Sequence, residues 1–309
     1  MIQHKKAGQV LIPSRYYGYR NDGGRYPLSA AADFAADAGF AGVDLSLDTY
    51  DTTDDGLPGV MEAFCRRLTA RGLCLPVCHL PFYMPAPDDV AAMSRFAAMQ
   101  TAALRAAARL GVLVAVIHPI VRHTARMGTT GPGAADRWLR ENVAYLTPLR
   151  EWAERVRVRL AVENMAGRPA PDAPDETVYG TRADQIAALA DALDCGICWD
   201  FGHANIAGTD KPSESLALVG RRLALVHIHD NDGMTDSHRL PGEGTIDWDD
   251  AMVGLRAVGY NGFFDMELKT SDLPDDRNLR DRYAARTLSA ARCLWNRYNA
   301  AQMMNDRSE

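Results

Sequence analysis

Eight short, nearly continuous apolar runs recur along the chain, each followed by a stretch compatible with a helix. The runs are Gln9–Ile12, Gly42–Leu47, Leu73–Cys78, Leu113–Ile117, Arg159–Val162, Cys195–Trp199, Leu223–Ile228 and Gly262–Met266. Unbroken apolar runs, rather than alternating ones, are the mark of strands covered on both faces. Between them, Asp89–Leu110, Asp136–Val156, Arg182–Leu193 and Asp249–Val258 place apolar residues at helical spacing. Strand and helix alternating eight times predict an α/β fold that closes into a single (β/α)8 TIM barrel. No linker or shift of composition divides the chain. Residues 1–309 therefore read as one domain, with an ordered barrel over 8–298 and a polar, frayed tail over 299–309.

The connections after several strands are long for such units. Arg15–Gly24, Arg122–Ala135, Gly167–Gly180 and Asp230–Asp247 are expected to cover a site.

Composition adds bounds. With 309 residues, 47% hydrophobic and 24% charged, the chain can bury a large core. A net charge of -6 argues against nucleic acid as the main partner. Met1–Gly8 is polar, no apolar run suited to a secretory signal follows, and no stretch approaches a membrane span, so a cytoplasmic protein is expected. The Cys195-Gly-Ile-Cys198 tetrapeptide resembles a metal or redox motif. It sits in a strand-like run, however, where residues three apart face opposite ways, so buried reduced thiols are expected.

Candidate chemistry collects where the apolar runs end. His79, His118, Glu163, Asp200, His227 and Glu267 close the third to the eighth runs in turn. In a parallel barrel those ends converge on one rim. Taken singly, Glu163 could be a helix cap or an ion-pair partner, Asp200 a cap, and His203 a structural histidine. Of His227 and His229, which share a face, one is expected to point into the barrel, with His227 the first choice. Asp236, His238 and Arg239 fall in a glycine-braked loop whose bland reading is a solvated turn. Glu163, Asp200, His227 and Glu267 together form a hard, oxygen-rich set that suits Mn2+, Mg2+ or Co2+ better than a structural zinc. Such a cation would act as a Lewis acid on a carbonyl and favour removal of the neighbouring proton. Tyr16, Tyr17, Phe82, Tyr83, Trp199 and Trp248 are candidates for an apolar wall of the site.

Taken in order, Cys-His79-Leu-Pro, Val-Ile-His118-Pro, Val-Glu163-Asn and Trp-Asp200-Phe-Gly-His203-Ala-Asn-Ile resemble a known pattern. Val-His227-Ile-His-Asp-Asn-Asp, Asp236-Ser-His238-Arg-Leu-Pro-Gly-Glu-Gly-Thr-Ile-Asp-Trp248 and Asp-Met-Glu267 continue it. The chain resembles the xylose isomerase-like TIM-barrel superfamily, in particular its sugar phosphate isomerase/epimerase branch. The resemblance implies one divalent cation, Mn2+ foremost with Mg2+, Co2+ or Zn2+ as alternatives, held by Glu163, Asp200, His227 and Glu267. It implies Glu163 and Glu267 as the acid/base pair, with His79, His118, His203 and Arg239 on the substrate.

A small sugar or sugar phosphate as substrate follows, with proton transfer next to its carbonyl through a metal-held enediolate. Relatives are often homodimers or homotetramers. The branch also holds lyases and dehydratases of oxidised sugars or glycosides. His79, His118, Asp236 and His238 further resemble the extra ligands of three-metal endonuclease IV relatives, which makes Asp236 and His238 candidates for a second metal or for substrate. Against phosphodiester cleavage stands the Leu-Pro-Gly-Glu-Gly-Thr-Ile-Asp-Trp ending, which is the sugar-enzyme form.

Overall fold

The structure is a computed structural model that describes residues 9–14, 27–47, 59–86, 89–123, 133–169, 171–172, 177–208, 210–270, 273 and 275–305. Strands and helices alternate as follows: β1 Val10–Pro13, α1 Leu28–Ala38, β2 Gly42–Ser46, α2 Gly59–Ala70, β3 Cys74–His79, α3 Val90–Arg109 and β4 Val114–Ile117. The short β5 Arg122–His123 precedes α4 Ala134–Val156, β6 Arg159–Glu163, the short β7 Val178–Tyr179, α5 Ala183–Leu193, β8 Gly196–Asp200, α6 Phe201–Ala207 and α7 Pro212–Val219. The chain ends with β9 Leu223–His227, α8 Trp248–Ala257, β10 Phe264–Asp265 and α9 Arg277–Asn305.

Eight parallel strands close on themselves in the order β1-β10-β9-β8-β6-β4-β3-β2, the TIM barrel expected from the alternation. The short β5 and β7 form a separate antiparallel pair outside the barrel. The last helix, α9, runs on to Asn305 and so takes in 299–305 of the polar tail. Among the described residues, no helix is long and apolar enough to cross a membrane.

Two apolar clusters explain the closure. The larger packs the outer faces of the strands against the helices, with Phe34, Phe64, Leu104, Leu149, Ile186 and Leu255 among its members. The smaller draws Leu11, Val77, Val116, Ala161, Cys198, Leu225 and Phe263 into the barrel interior. Side chains two apart on a strand share a face. His79, His118, Glu163, Asp200 and His227 each lie two residues beyond an interior member of that cluster, and Glu267 lies four beyond Phe263. The interior stripe of each strand thus ends at the rim in a polar group. All six cysteines are free, with Cys198 inside the barrel and Cys195 only partly buried, so the Cys-x-x-Cys spacing brings no pair together.

Candidate active site

The C-terminal rim of the barrel holds a buried set of ionisable side chains. Glu163, Asp200, His227 and Glu267 are 1%, 0%, 0% and 6% exposed, and each offers a ligand atom within 4.8 Å of the others. Nδ1 of His227 lies 3.0 Å from Glu163 Oε1, 3.2 Å from Glu267 Oε2 and 3.7 Å from Asp200 Oδ2. Asp200 fulfils both readings of an acid before a turn. Its Oδ1 caps α6 by accepting from His203 N–H at 2.7 Å, while its Oδ2 turns to the rim.

Glu163 is the hub. Its Oε2 faces Nε2 of His79 and Nε2 of His118, each at 3.2 Å. Burial would raise the carboxyl, but His227, His118 and His79 outweigh it and hold Glu163 well below the usual carboxylate range. Burial also opposes protonation of His227, yet Cys198, Glu163 and Glu267 around it raise it well above the ordinary imidazole value. His118 goes the other way, lowered because burial outweighs Glu163.

A second histidine-rich group adjoins the first. His203, His229, Asp236 and His238 offer atoms within 4.8 Å of one another. Asp236 Oδ2 lies 3.5 Å from His203 Nε2 and 3.2 Å from His238 Nε2. Burial resists charging His238, but Asp236 and Glu267 overcome it and push the imidazole up to about 9. Its backbone sits in the left-handed region at φ 45°, an uncommon conformation for a side-chain-bearing residue and one often found at functional sites. A third set, His79, His118 and Glu163, shares its glutamate with the first.

Several neighbours hold these groups in place. Asn164 ties β6 to β8: its Oδ1 accepts from Asp200 N–H at 2.7 Å and its Nδ2 donates to Asp200 O at 2.9 Å. His229, stacked 3.8 Å from His238, reaches Asp200 Oδ2 through Nε2 at 3.0 Å. The Asp230 carboxylate gathers the following loop, accepting from Gly242 N–H at 2.8 Å, Trp248 Nε1–H at 2.9 Å and Ile246 N–H at 3.3 Å. Gly244 passes so close to Asp230 and Asn231 that a Cβ there would overlap both.

Of the residues singled out in the sequence, nine meet at the rim: His79, His118, Glu163, Asp200, His203, His227, Asp236, His238 and Glu267. Arg239 stands apart. Its guanidinium lies 3.6 Å from Asp232 and 3.5 Å from the Glu243 carbonyl, and its backbone pairs with Asp230. Phe82 faces the rings of His79 and His118 at 5.1 Å each, whereas Tyr83 is 74% exposed. Trp199 and Trp248 belong to the core and form no wall of the site. Tyr16 and Tyr17 lie outside the described residues. Sequence reasoning left His229, Asn164, Asp44 and Asp265 out of the site. The signals were present: the His-x-His alternation, and a single acid inside two otherwise apolar strands.

The donor set suits a divalent cation. Three carboxylates and an imidazole, shielded from water and aimed at one point, make a donor set whose negative charge a bound cation would compensate. Fold and rim together define a (β/α)8 barrel with a cluster of metal-competent side chains at the carboxyl ends of its strands.

A family model described as xylose isomerase-like TIM barrel matches residues 32–289, and the chain belongs to that family. It is 30% identical over 147 residues to the uncharacterized protein MJ1311 of Methanocaldococcus jannaschii, covering 46% of this chain and 45% of that protein. It is 34% identical over 76 residues to fructoselysine 3-epimerase of Escherichia coli O157:H7, covering 25% and 26% respectively. The chain thus spans less than half the length of these relatives. Among solved structures, a D-tagatose 3-epimerase-like protein matches with a TM-score of 0.70 and 21% identity, over 93% of this chain and 98% of the other.

Proposed function

We propose that this chain is a divalent-metal-dependent sugar or sugar phosphate isomerase or epimerase, with Mn2+ the first choice of cation. The observation that carries the reading is the convergence of Glu163, Asp200, His227 and Glu267 within 4.8 Å, all buried, at the catalytic face of the barrel. The segmental likeness to fructoselysine 3-epimerase and the shared fold with a D-tagatose 3-epimerase-like protein support it.

When bound, the cation polarises a carbonyl and stabilises negative charge developing beside it. The protein supplies the proton transfer. Glu163 and Glu267 are the acid/base pair: one takes the carbon-bound proton next to the carbonyl, and the other returns a proton. His79, His118 and His203, lining the same bowl, would hold substrate hydroxyls, with Arg239 at the loop. Burial of the bowl excludes water that would compete for the proton. A lyase or dehydratase of an oxidised sugar shares the first step and differs in expelling a leaving group.

The test is incubation of the Mn2+-loaded protein with ketoses and ketose phosphates in deuterated water. Deuterium should enter at the carbon beside the carbonyl, and chelation or Glu163→Gln should stop it. Full exchange by the chelated protein would sink the reading.

One observation favours a second reading. The groups His79–His118–Glu163 and His203–His229–Asp236–His238 flank the first and suit further cations, a centre fit for an abasic-site phosphodiesterase. Metal analysis giving three ions per chain, with nicking of abasic DNA and no sugar exchange, would select it.

A further inference from the structure

Two buried acids take no part in the chemistry above. Asp44 on β2 and Asp265 on β10 are 1% and 0% exposed. Asp44 is in register with Val77, and Asp265 with Leu11, both members of the interior cluster, so both carboxylates face inward. Asp265 is also in register with His227. Asp44, Asp265 and His227 each offer an atom within 4.8 Å of the others. The two acids form a polar floor between the apolar interior and the rim.

Hydrogen bonding at this floor is incomplete. Both Asp265 oxygens are buried without a partner, and so is Nε2 of His227. Leaving such groups unpaired costs about 1–3 kcal/mol each, and more for charged ones. An apolar residue would fill the strand more cheaply, so the acid calls for another role. His227 gives Nδ1 to the rim, facing Glu163 and Glu267. An imidazole that ligates through one nitrogen carries its proton on the other, and that N–H ordinarily donates to a carboxylate, which fixes the tautomer and strengthens the ligand.

We propose that Asp265 is the positioning residue of His227: once a cation occupies Nδ1, the Asp265 carboxyl accepts from the Nε2–H and keeps Nδ1 bare for the cation. The proposal rests on the reading that a divalent cation sits among Glu163, Asp200, His227 and Glu267. It gives β10 two tasks two residues apart, with Glu267 as ligand and Asp265 as the support of a ligand on β9. Asp44 stands across β1 from it.

The experiment is Mn2+ titration of the metal-free full chain by calorimetry, for wild type, Asp265→Asn, Asp265→Ala and Asp44→Asn. Circular dichroism and thermal unfolding report the fold of each metal-free protein, and visible absorption of the Co2+ form reports ligand geometry. Asp265→Asn keeps an acceptor of nearly the same shape and should weaken binding by about 10-fold, while Asp265→Ala should weaken it by about 100-fold, the range for partners of a metal-bound histidine. Asp44→Asn should shift affinity in the same direction and less. If Asp265→Ala fails to fold, the isosteric Asp265→Asn carries the test, with Asp44→Asn behind it. Wild-type affinity in folded Asp265→Asn and Asp265→Ala, or altered unfolding with unaltered affinity, overturns the proposal. So does the loss of one bound ion with the remaining affinity intact, which would mean that the floor itself is a cation site. Sugar exchange is not read here. A wild type that binds Mn2+ but labels no ketose defeats the sugar reading and leaves this one standing, whereas a wild type that binds no Mn2+ defeats this one.

Discussion

The ring of His229 lies so close to Gly202 that any side chain at 202 would overlap it. The contact has a purpose, because it lets the buried imidazole reach Asp200 Oδ2 at 3.0 Å. Gly202→Ala should displace the ring, with an overpacking cost of about 1–3 kcal/mol. Thermal unfolding should show the loss of stability, and Mn2+ titration a weaker site. Wild-type behaviour in both assays would mean that His229 does not hold Asp200.

Glu163 faces four imidazoles and belongs to three of the metal-competent groups, while Glu267 belongs to one. Glu163→Gln should therefore remove both turnover and most metal binding. Glu267→Gln should abolish turnover while keeping part of the metal. Elemental analysis of the two purified variants beside a proton-exchange assay separates these outcomes. Equal metal content in both would contradict the hub role of Glu163.

Asn164 stitches two strands at the rim through both ends of its amide and is fully buried. Its carbonyl also lies 2.8 Å from His203 Nδ1. Asn164→Ala leaves the Asp200 backbone groups unsatisfied and should cost about 1–3 kcal/mol, read from denaturant unfolding. Because Asp200 loses its anchor, kcat should fall more than KM rises.

The metal-free protein should respond to pH through the His238–Asp236 pair, 3.2 Å apart. His238 is raised to about 9, so its contribution is complete below the ordinary imidazole value of about 6.5 and is lost as pH rises through about 9. Asp236 is held below its ordinary value by His203 and His238 against burial, so its contribution appears above that value and fades in acid. Metal-free stability should decline between about pH 6.5 and 9, and His238→Gln should flatten that decline. A slope unchanged in the variant would assign it elsewhere.

Much of this was legible in the chain. The eight runs match the eight barrel strands because strands covered on both faces have no polar side to hide. The rim residues were legible for a related reason: an acid or histidine directly after such a run stands on the interior stripe, one step above the apolar filling. Asp44 and Asp265 escaped notice because an isolated acid within a strand looks the same whether it faces outward to water or inward to a ligand, and only closure of the barrel decides. His229 escaped because its burial depends on the missing side chain of a residue 27 positions earlier. Trp199 and Trp248 misled in the opposite direction: Trp199, beside Asp200 on β8, faces outward into the helices, and Trp248 opens α8 with its ring against Phe201.

The knot tied by Asp230 has a bearing on selectivity. With its oxygens taking up amides at 242 and 246 and the indole of Trp248, the segment that carries Arg239 is pinned at several points rather than hinged at two. In the proposed reaction, a segment so fastened would recognise substrate by fixed shape rather than by closing over it. Altering which molecule is accepted should then come from exchanging Gly233, Met234 and Thr235 at its outer tip, while Asp230, Asp236, His238 and Gly244 are left untouched.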